Sequence, residues 1–409
     1  MKKLDVSYVR KQFPSLNGKW TFFDNAGGSQ IAKQVTDRLL EYLYTSNVQL
    51  GGSYETSVMA DNRIFEAQKK MAEYINAASP DEIILGPSTT MLLQNLSRAM
   101  ERTLSPGDEI IVTNCDHEAN IGPWINLEKR GVIVKTWEIN KSSLKLELDE
   151  LAKLMTPKTK QVSFPYVSNI LGTVNPVKEI VNFVHAHGAK VCVDAVAFAP
   201  HRMIDVTDLN VDYLAFSFYK VYGPHYALLY GKKKHLQELD GINHFFIGKN
   251  EIPYKLQPGN VNFELSYSLL GITDYLEDIF GHHFKKASGF SERMKDVFSL
   301  ITDHEEKLAK LFLDFLKTKK NVTIIGEQSP SKEARVPTIS FIVDGMRSNA
   351  VTEQVDPHNI AIRYGDFYAR RLIEELGLLK QEGVIRVSMV HYNTVEEVHN
   401  LIDVLDRII

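Results

Sequence analysis

The sequence predicts an α/β protein: a large unit on a mostly parallel sheet with helices on both faces, then a smaller α+β unit toward the C-terminus. Three observations carry this expectation. The 409 residues exceed what one hydrophobic core usually serves. Between Glu82 and Tyr230, short apolar runs alternate with stretches of helical spacing. After about Leu270 a long helical pattern is followed by isolated strand-like runs.

Taken in order, Glu82–Leu85 reads as a strand and is followed by a helix through Arg102. Pro106-Gly107-Asp108 marks a turn before strand Glu109–Thr113, and Gly131 precedes strand Val132–Trp137. Lys160–Phe164 is the next strand. Val177–His187 has helical spacing and stops at Gly188, ahead of the buried strand Lys190–Val193. Tyr213–Phe216 and Tyr226–Tyr230 complete the large unit. In the smaller one, Ser291–Lys317 is a helix, Val322–Ile325, Thr338–Val343 and Val384–Val390 are strands, Ala369–Glu375 is helical, and Val395–Ile408 is an amphipathic closing helix. The expected division is 20–270 for the large domain, with 1–19 joining 271–409 in the small one.

Composition narrows the function. The chain is 44% hydrophobic and 24% charged, which is ordinary for a globular protein. A net charge of -4 gives no basic footprint for nucleic acid, so a small-molecule ligand is expected instead. The opening residues MKKLDVSYVR contain no apolar signal core, and no apolar run approaches a membrane span. A cytoplasmic protein is expected. Cys115 and Cys192 sit in or beside apolar strand-like runs and read as buried small hydrophobes; no cysteine–histidine spacing suggests a metal.

The chemistry centres on Asp194 and Lys220. Each follows an apolar run, Val191-Cys192-Val193 or Leu214-Ala215-Phe216, and so falls at the C-terminal end of a strand, where open α/β sheets bind ligands. Aromatic neighbours would desolvate the lysine and free its amine to attack a carbonyl. A carboxylate can keep a pyridine nitrogen protonated. Pyridoxal phosphate (PLP) needs this pair; a buried Asp–Lys ion pair is the alternative. Gly86-Pro87-Ser88-Thr89-Thr90, between a strand and a helix, offers amides and hydroxyls to a phosphate, and Ser217 adds a hydroxyl; a plain helix cap is the alternative. His117 follows a strand and could stack on a flat ring. Asn169 could donate to a phenolate oxygen or simply serve a turn. Arg386 lies inside an apolar strand and must be paired, by a substrate carboxylate or by a structural acid. Arg363 poses the same question.

These residues together resemble the class V aminotransferase family, in particular its cysteine desulfurase branch. The similarity is strongest over Asp116–Trp124, Val167–Lys178, His187–Asp194 and Ser217–Pro224. The resemblance implies a large PLP domain with a small C-terminal domain, and a homodimer with shared active sites. It implies that Lys220 forms the Schiff base, that Asp194 pairs with the pyridinium, and that His117 stacks on the ring; these three are the expected catalytic residues. Ser88, Thr89, Thr90, Asn169, Ser217 and Tyr219 would hold the cofactor. Arg386, with Arg363, Gly27 and Gly28, would bind substrate. Asn260 would reach the neighbouring subunit's phosphate, at a position where a Thr is usual.

Three departures matter. The mobile loop that carries the nucleophilic cysteine in the desulfurase branch reads Arg363-Tyr364-Gly365-Asp366-Phe367-Tyr368 here, with Tyr368 at the cysteine position. A phenol cannot accept sulfur as a persulfide. Ala197 stands where a Gln is frequent, and Tyr219 where a His is usual. The expected function is therefore a PLP enzyme acting on an amino acid as an aminotransferase or an elimination lyase. The alternatives are a cysteine or selenocysteine lyase that works without a persulfide, and a non-catalytic PLP-binding regulator.

Overall fold

Residues 2–409 are described by the computed structural model. Thirteen strands form in chain order: β1 (Thr21–Phe22), β2 (Ile83–Gly86), β3 (Glu109–Thr113), β4 (Ile133–Trp137), β5 (Thr159–Pro165), β6 (Lys190–Asp194), β7 (Tyr213–Ser217), β8 (Ala227–Gly231), β9 (Val322–Ile325), β10 (Thr338–Val343), β11 (Ile360–Ala361), β12 (Arg363–Gly365) and β13 (Val384–Ser388). The large sheet has seven strands in the order β2-β8-β7-β6-β5-β3-β4. Its pairings are parallel from β7 through β4, whereas β8 runs antiparallel to both β7 and β2. β2 therefore points the same way as β7. β3, β6 and β7 are buried along almost their whole length, which explains their continuous apolar character rather than alternation.

The small C-terminal domain carries a four-stranded antiparallel sheet, β12-β13-β10-β9. The helix Phe290–Thr318 and the closing helix Val395–Leu405 pack on it; the latter starts with a capping box between Thr394 and Glu397. β1 pairs in parallel with β11, which brings the segment after Phe22 to the small sheet. The N-terminal helix Val6–Arg10 contacts both units: Val9 and Phe13 join the core around Tyr222 and Tyr275, and Arg10 pairs with Glu397 at 2.8 Å.

The predicted strands are all present to within two residues, and the helix Val177–Ala186 ends before Gly188, which sits at φ 77°. Two helices that periodicity did not signal, Lys33–Thr45 and Glu55–Tyr74, precede β2.

Candidate active site

Loops from the C-terminal ends of five co-directional strands, β2, β3, β5, β6 and β7, meet in one cavity. They carry, respectively, Ser88, Thr89 and Thr90; His117; Asn169; Asp194; and Ser217, Tyr219 and Lys220, all of which line it. Nine of the predicted site residues are thus brought together by the sheet's topology.

Lys220 ends a single 3₁₀ turn after β7 and is 7% exposed. Among the described residues no acid lies within 4.0 Å of its Nζ, which sits 5.7 Å from the centre of the Tyr219 ring. The ordinary Asp–Lys ion pair is therefore not what these residues form. Burial, reinforced by the charge of Arg386 and opposed by that of Asp194, brings the Lys220 amine down to about 8. Asp194 accepts a hydrogen bond from the Val196 amide at 2.8 Å, and burial raises its carboxyl to about 6.

Sequence reasoning assigned no role to Asp116. It is 3% exposed and accepts from the His117 amide at 2.7 Å and the Asn120 side chain at 2.8 Å. Burial and the nearby Asp194 push it well above the usual carboxylate range. Its signal was the stretch Asp116-His117 itself, but only the fold shows that Asp116 and Asp194 line one cavity.

His117 accepts from the Ala119 amide through Nδ1 at 3.0 Å. Burial, then the charges of Lys220 and Arg386, lower its imidazole to about 4. The ring is therefore neutral at physiological pH, with its proton on Nε2. Facing it, the Thr89 and Ser217 hydroxyls lie 2.7 Å apart, and Ser88 caps the helix Thr89–Met100 by accepting from the Met91 amide. Hydroxyls and unpaired amides at this helix start make an anion cradle.

Arg386 is 1% exposed on β13. Its Nη2 donates to Asp24 Oδ1 at 3.0 Å and its Nη1 to the Asn169 carbonyl at 3.2 Å, while Nε is buried without a partner. The Phe367 ring covers the guanidinium at 3.6 Å. Arg363 reaches the other oxygen of Asp24 at 3.4 Å. Asp24 is thus the structural acid that Arg386 needed, and sequence reasoning missed it because 362 residues separate the two.

None of the four predicted substrate-binding residues, Arg386, Arg363, Gly27 and Gly28, lines the cavity wall itself; Arg386 lies behind it, bonded to the carbonyl of the lining residue Asn169. The glycines form the turn after Asp24: both amides donate to its carbonyl, a Cβ on Gly27 would come within 2.7 Å of the Asp24 carboxylate, and one on Gly28 would touch Tyr219. The Asn169 side-chain amide donates to the Phe367 carbonyl at 2.8 Å, which leaves its second hydrogen for a ring oxygen, while its Oδ1 is buried and unpartnered. Asn260 is exposed and borders a different cavity, beside Met91 and Tyr226. Cys115 and Cys192 are both buried, with the Cys115 thiol pushed up to about 12.

A free buried amine, an acid across the same cavity, a neutral ring to stack on and an anion cradle fit pyridoxal phosphate. Fold and site together define a PLP-dependent enzyme. Residues 21–401 match the family model "Aminotransferase class-V", and the chain belongs to the class V aminotransferase family. It is 42% identical to the aminotransferase-like protein FGM3 of Gibberella zeae over 99% of this chain and 98% of that protein. It is 33% identical to the cysteine desulfurase-like protein ustD of Aspergillus flavus, covering 99% of this chain and 91% of that one. Its fold is similar to that of a cysteine desulfurase from Thermococcus onnurineus NA1, with a TM-score of 0.88 at 24% identity, covering 100% of this chain and 98% of that chain.

Proposed function

We propose that this enzyme acts on an α-amino acid, as an aminotransferase or elimination lyase, with PLP held through Lys220. The observation that carries the reading is the Lys220 amine: buried in the cavity, unpaired, and with a proton affinity brought near neutrality. PLP, once bound, would supply an electrophilic aldehyde carbon and an electron-withdrawing pyridine ring. Lys220 then gives and takes the proton at Cα. Asp194, ionised above about pH 6, holds a proton on the ring nitrogen. His117, kept neutral, offers its ring face without adding charge beside Lys220. Ser88, Thr89, Thr90 and Ser217 hold the phosphate, and Asn169 and Tyr219 border the ring. Arg386, with its free Nε, orients the substrate carboxylate, sharing its charge with Asp24.

Persulfide transfer has no acceptor here. Both thiols are buried, and the exposed residue at the loop position is Tyr368. Release of sulfide or selenide directly from a substrate remains open to such a site, in keeping with the desulfurase-like relative. A purely regulatory PLP-binding role would use the Lys220 amine equally, and differs in that no amino acid would perturb the bound cofactor's absorbance.

A homodimer is supported by two features. Asn260 is exposed outside its own chain's cavity, and the apolar residues Leu40, Leu43, Tyr44, Val58 and Phe65 are exposed on the helices Lys33–Thr45 and Glu55–Tyr74. Among the described residues no helix is long and apolar enough to cross a membrane. Two buried free thiols suit a reducing cytoplasm.

The test is visible spectroscopy of the purified holoprotein during titration with single L-amino acids, with keto acid, alanine and sulfide assayed as products. Borohydride trapping followed by peptide mapping should place the label on Lys220. A label elsewhere, or no amino acid altering the spectrum, would overturn the proposal.

A further inference from the structure

The segment after β12 bends in an unusual way. Phe367 and Tyr368 both adopt the left-handed backbone region, at φ 48° and 60°. Residues with a Cβ disfavour it, and two in succession persist only where surrounding contacts enforce them. Those contacts come from the site residue Asn169, from the segment after His117 and from the loop itself. The Asn169 side chain donates to the Phe367 carbonyl, and the Glu118 amide to the Tyr368 carbonyl, both at 2.8 Å. Asp366 accepts from the Tyr368 amide, and Arg371 grips the Glu118 carboxylate with two hydrogen bonds at 2.9 and 3.0 Å.

The result is that successive side chains go to different partners. The Phe367 ring, 8% exposed, lies flat enough over Arg386 to bring its centroid within 3.6 Å of the guanidinium carbon. The Tyr368 ring packs on His117, with centroids 5.3 Å apart and planes tilted by 36°. Phe367 also covers a guanidinium that has only two hydrogen-bonding acceptors and one buried, unpaired Nε. A stacked ring fixes such a plane without consuming a donor.

We propose that Phe367 and Tyr368 are positioning residues that act as one clamp: Phe367 aims the Arg386 guanidinium at the substrate carboxylate, and Tyr368 holds the His117 ring against the cofactor. This rests on the roles given to Arg386 and His117 above. The loop therefore serves as a fixed brace joining the carboxylate and ring subsites, rather than as a carrier of a nucleophile.

Two oxyamines test it without knowledge of the natural substrate. Aminooxyacetate and methoxyamine each replace the Lys220 nitrogen on the cofactor's aldehyde carbon through their O–NH₂ nitrogen, and only the first bears a carboxylate. The ratio of their rates, followed by loss of the holoprotein's visible band, reads carboxylate recognition alone. Phe367→Leu should lower the ratio roughly tenfold while leaving the methoxyamine rate unchanged. Tyr368→Leu should leave the ratio unchanged, shift the visible band, and weaken PLP binding to the apoprotein roughly three- to tenfold. If Phe367→Leu does not fold, Phe367→Met keeps the bulk without the ring and reads the same ratio. An unchanged ratio in the Phe367 variants, or an unaltered band and PLP affinity in Tyr368→Leu, overturns the clamp. A wild-type ratio near one would instead reject Arg386 as the carboxylate site, a failure of the functional reading itself.

Discussion

Lys220 is held charged only at a cost. Burial takes its amine from 10.5 to about 8, so its ammonium form is disfavoured in the folded state. Below about pH 8 both folded and unfolded chains keep the proton and the full penalty of about 3 kcal/mol applies; it fades as pH rises from 8 toward 10.5. In the cofactor-free protein, Lys220→Met should therefore raise stability by up to about 3 kcal/mol at pH 7, with the gain shrinking by pH 10. Urea unfolding at the two pH values measures this, and an equal gain at both would contradict it. Asp24 has the opposite role, since it compensates the buried Arg386. Asp24→Asn should cost about 3 kcal/mol, because the guanidinium loses its charged partner, and thermal unfolding at neutral pH checks it. Lys220, Asp194 and His117 were legible in the sequence because each follows an apolar run that ends at the ligand-binding edge. Asp24 was not, because its partner is on β13 and no local pattern links them.

At the scale of elements, legibility followed burial. Strands buried on both faces, such as β6 and β7, announce themselves as unbroken apolar runs, and the helix Val177–Ala186 shows its buried stripe of Val177, Ile180, Val181 and Val184. The helix Lys33–Thr45 has no side-chain cap to mark its start, buries only Val35 and Tyr42, and leaves Leu40, Leu43 and Tyr44 exposed. Glycines between elements differ in the same contextual way. Gly172 has φ 68°, and a Cβ there would come within 2.2 Å of the Thr338 carbonyl, where the loop after β5 meets β10. Gly188 has φ 77° but open space around it. Gly172→Ala should thus cost at least about 3 kcal/mol, through overpacking on top of strain. Gly188→Ala should cost only about 1 kcal/mol, from backbone conformation alone. Denaturant midpoints of the two variants compare these directly; similar losses would show that the contact with Thr338 is relieved at little cost.

The site spans both domains of the whole molecule: Lys220 and Asp194 belong to the large sheet and Arg386 to the small one, so their relative placement is set by how the two domains are joined. One joint is charged and dry. Glu305, fully buried on the long helix Phe290–Thr318, accepts from Arg202 at 3.2 Å and from the His201 Nδ1 at 3.0 Å, both on the loop after β6. Arg202 continues to the carbonyls of Lys332 and Arg335, so a single guanidinium ties the large domain to two segments of the small one. Removing the acid leaves the part-buried Arg202 guanidinium and the buried His201 without their partner, which costs more than the pair gains. Glu305→Ala should lower stability by about 3–5 kcal/mol. Because the loss falls at the joint, it should also reduce the cooperativity of unfolding, visible as a lower urea m-value or a second transition. Glu305→Gln, which keeps a hydrogen-bond acceptor, should lose less and keep one transition. If Glu305→Ala unfolds with the wild-type slope and a loss under about 1 kcal/mol, the joint is carried by the apolar contacts around Phe13, Tyr222 and Tyr275 instead.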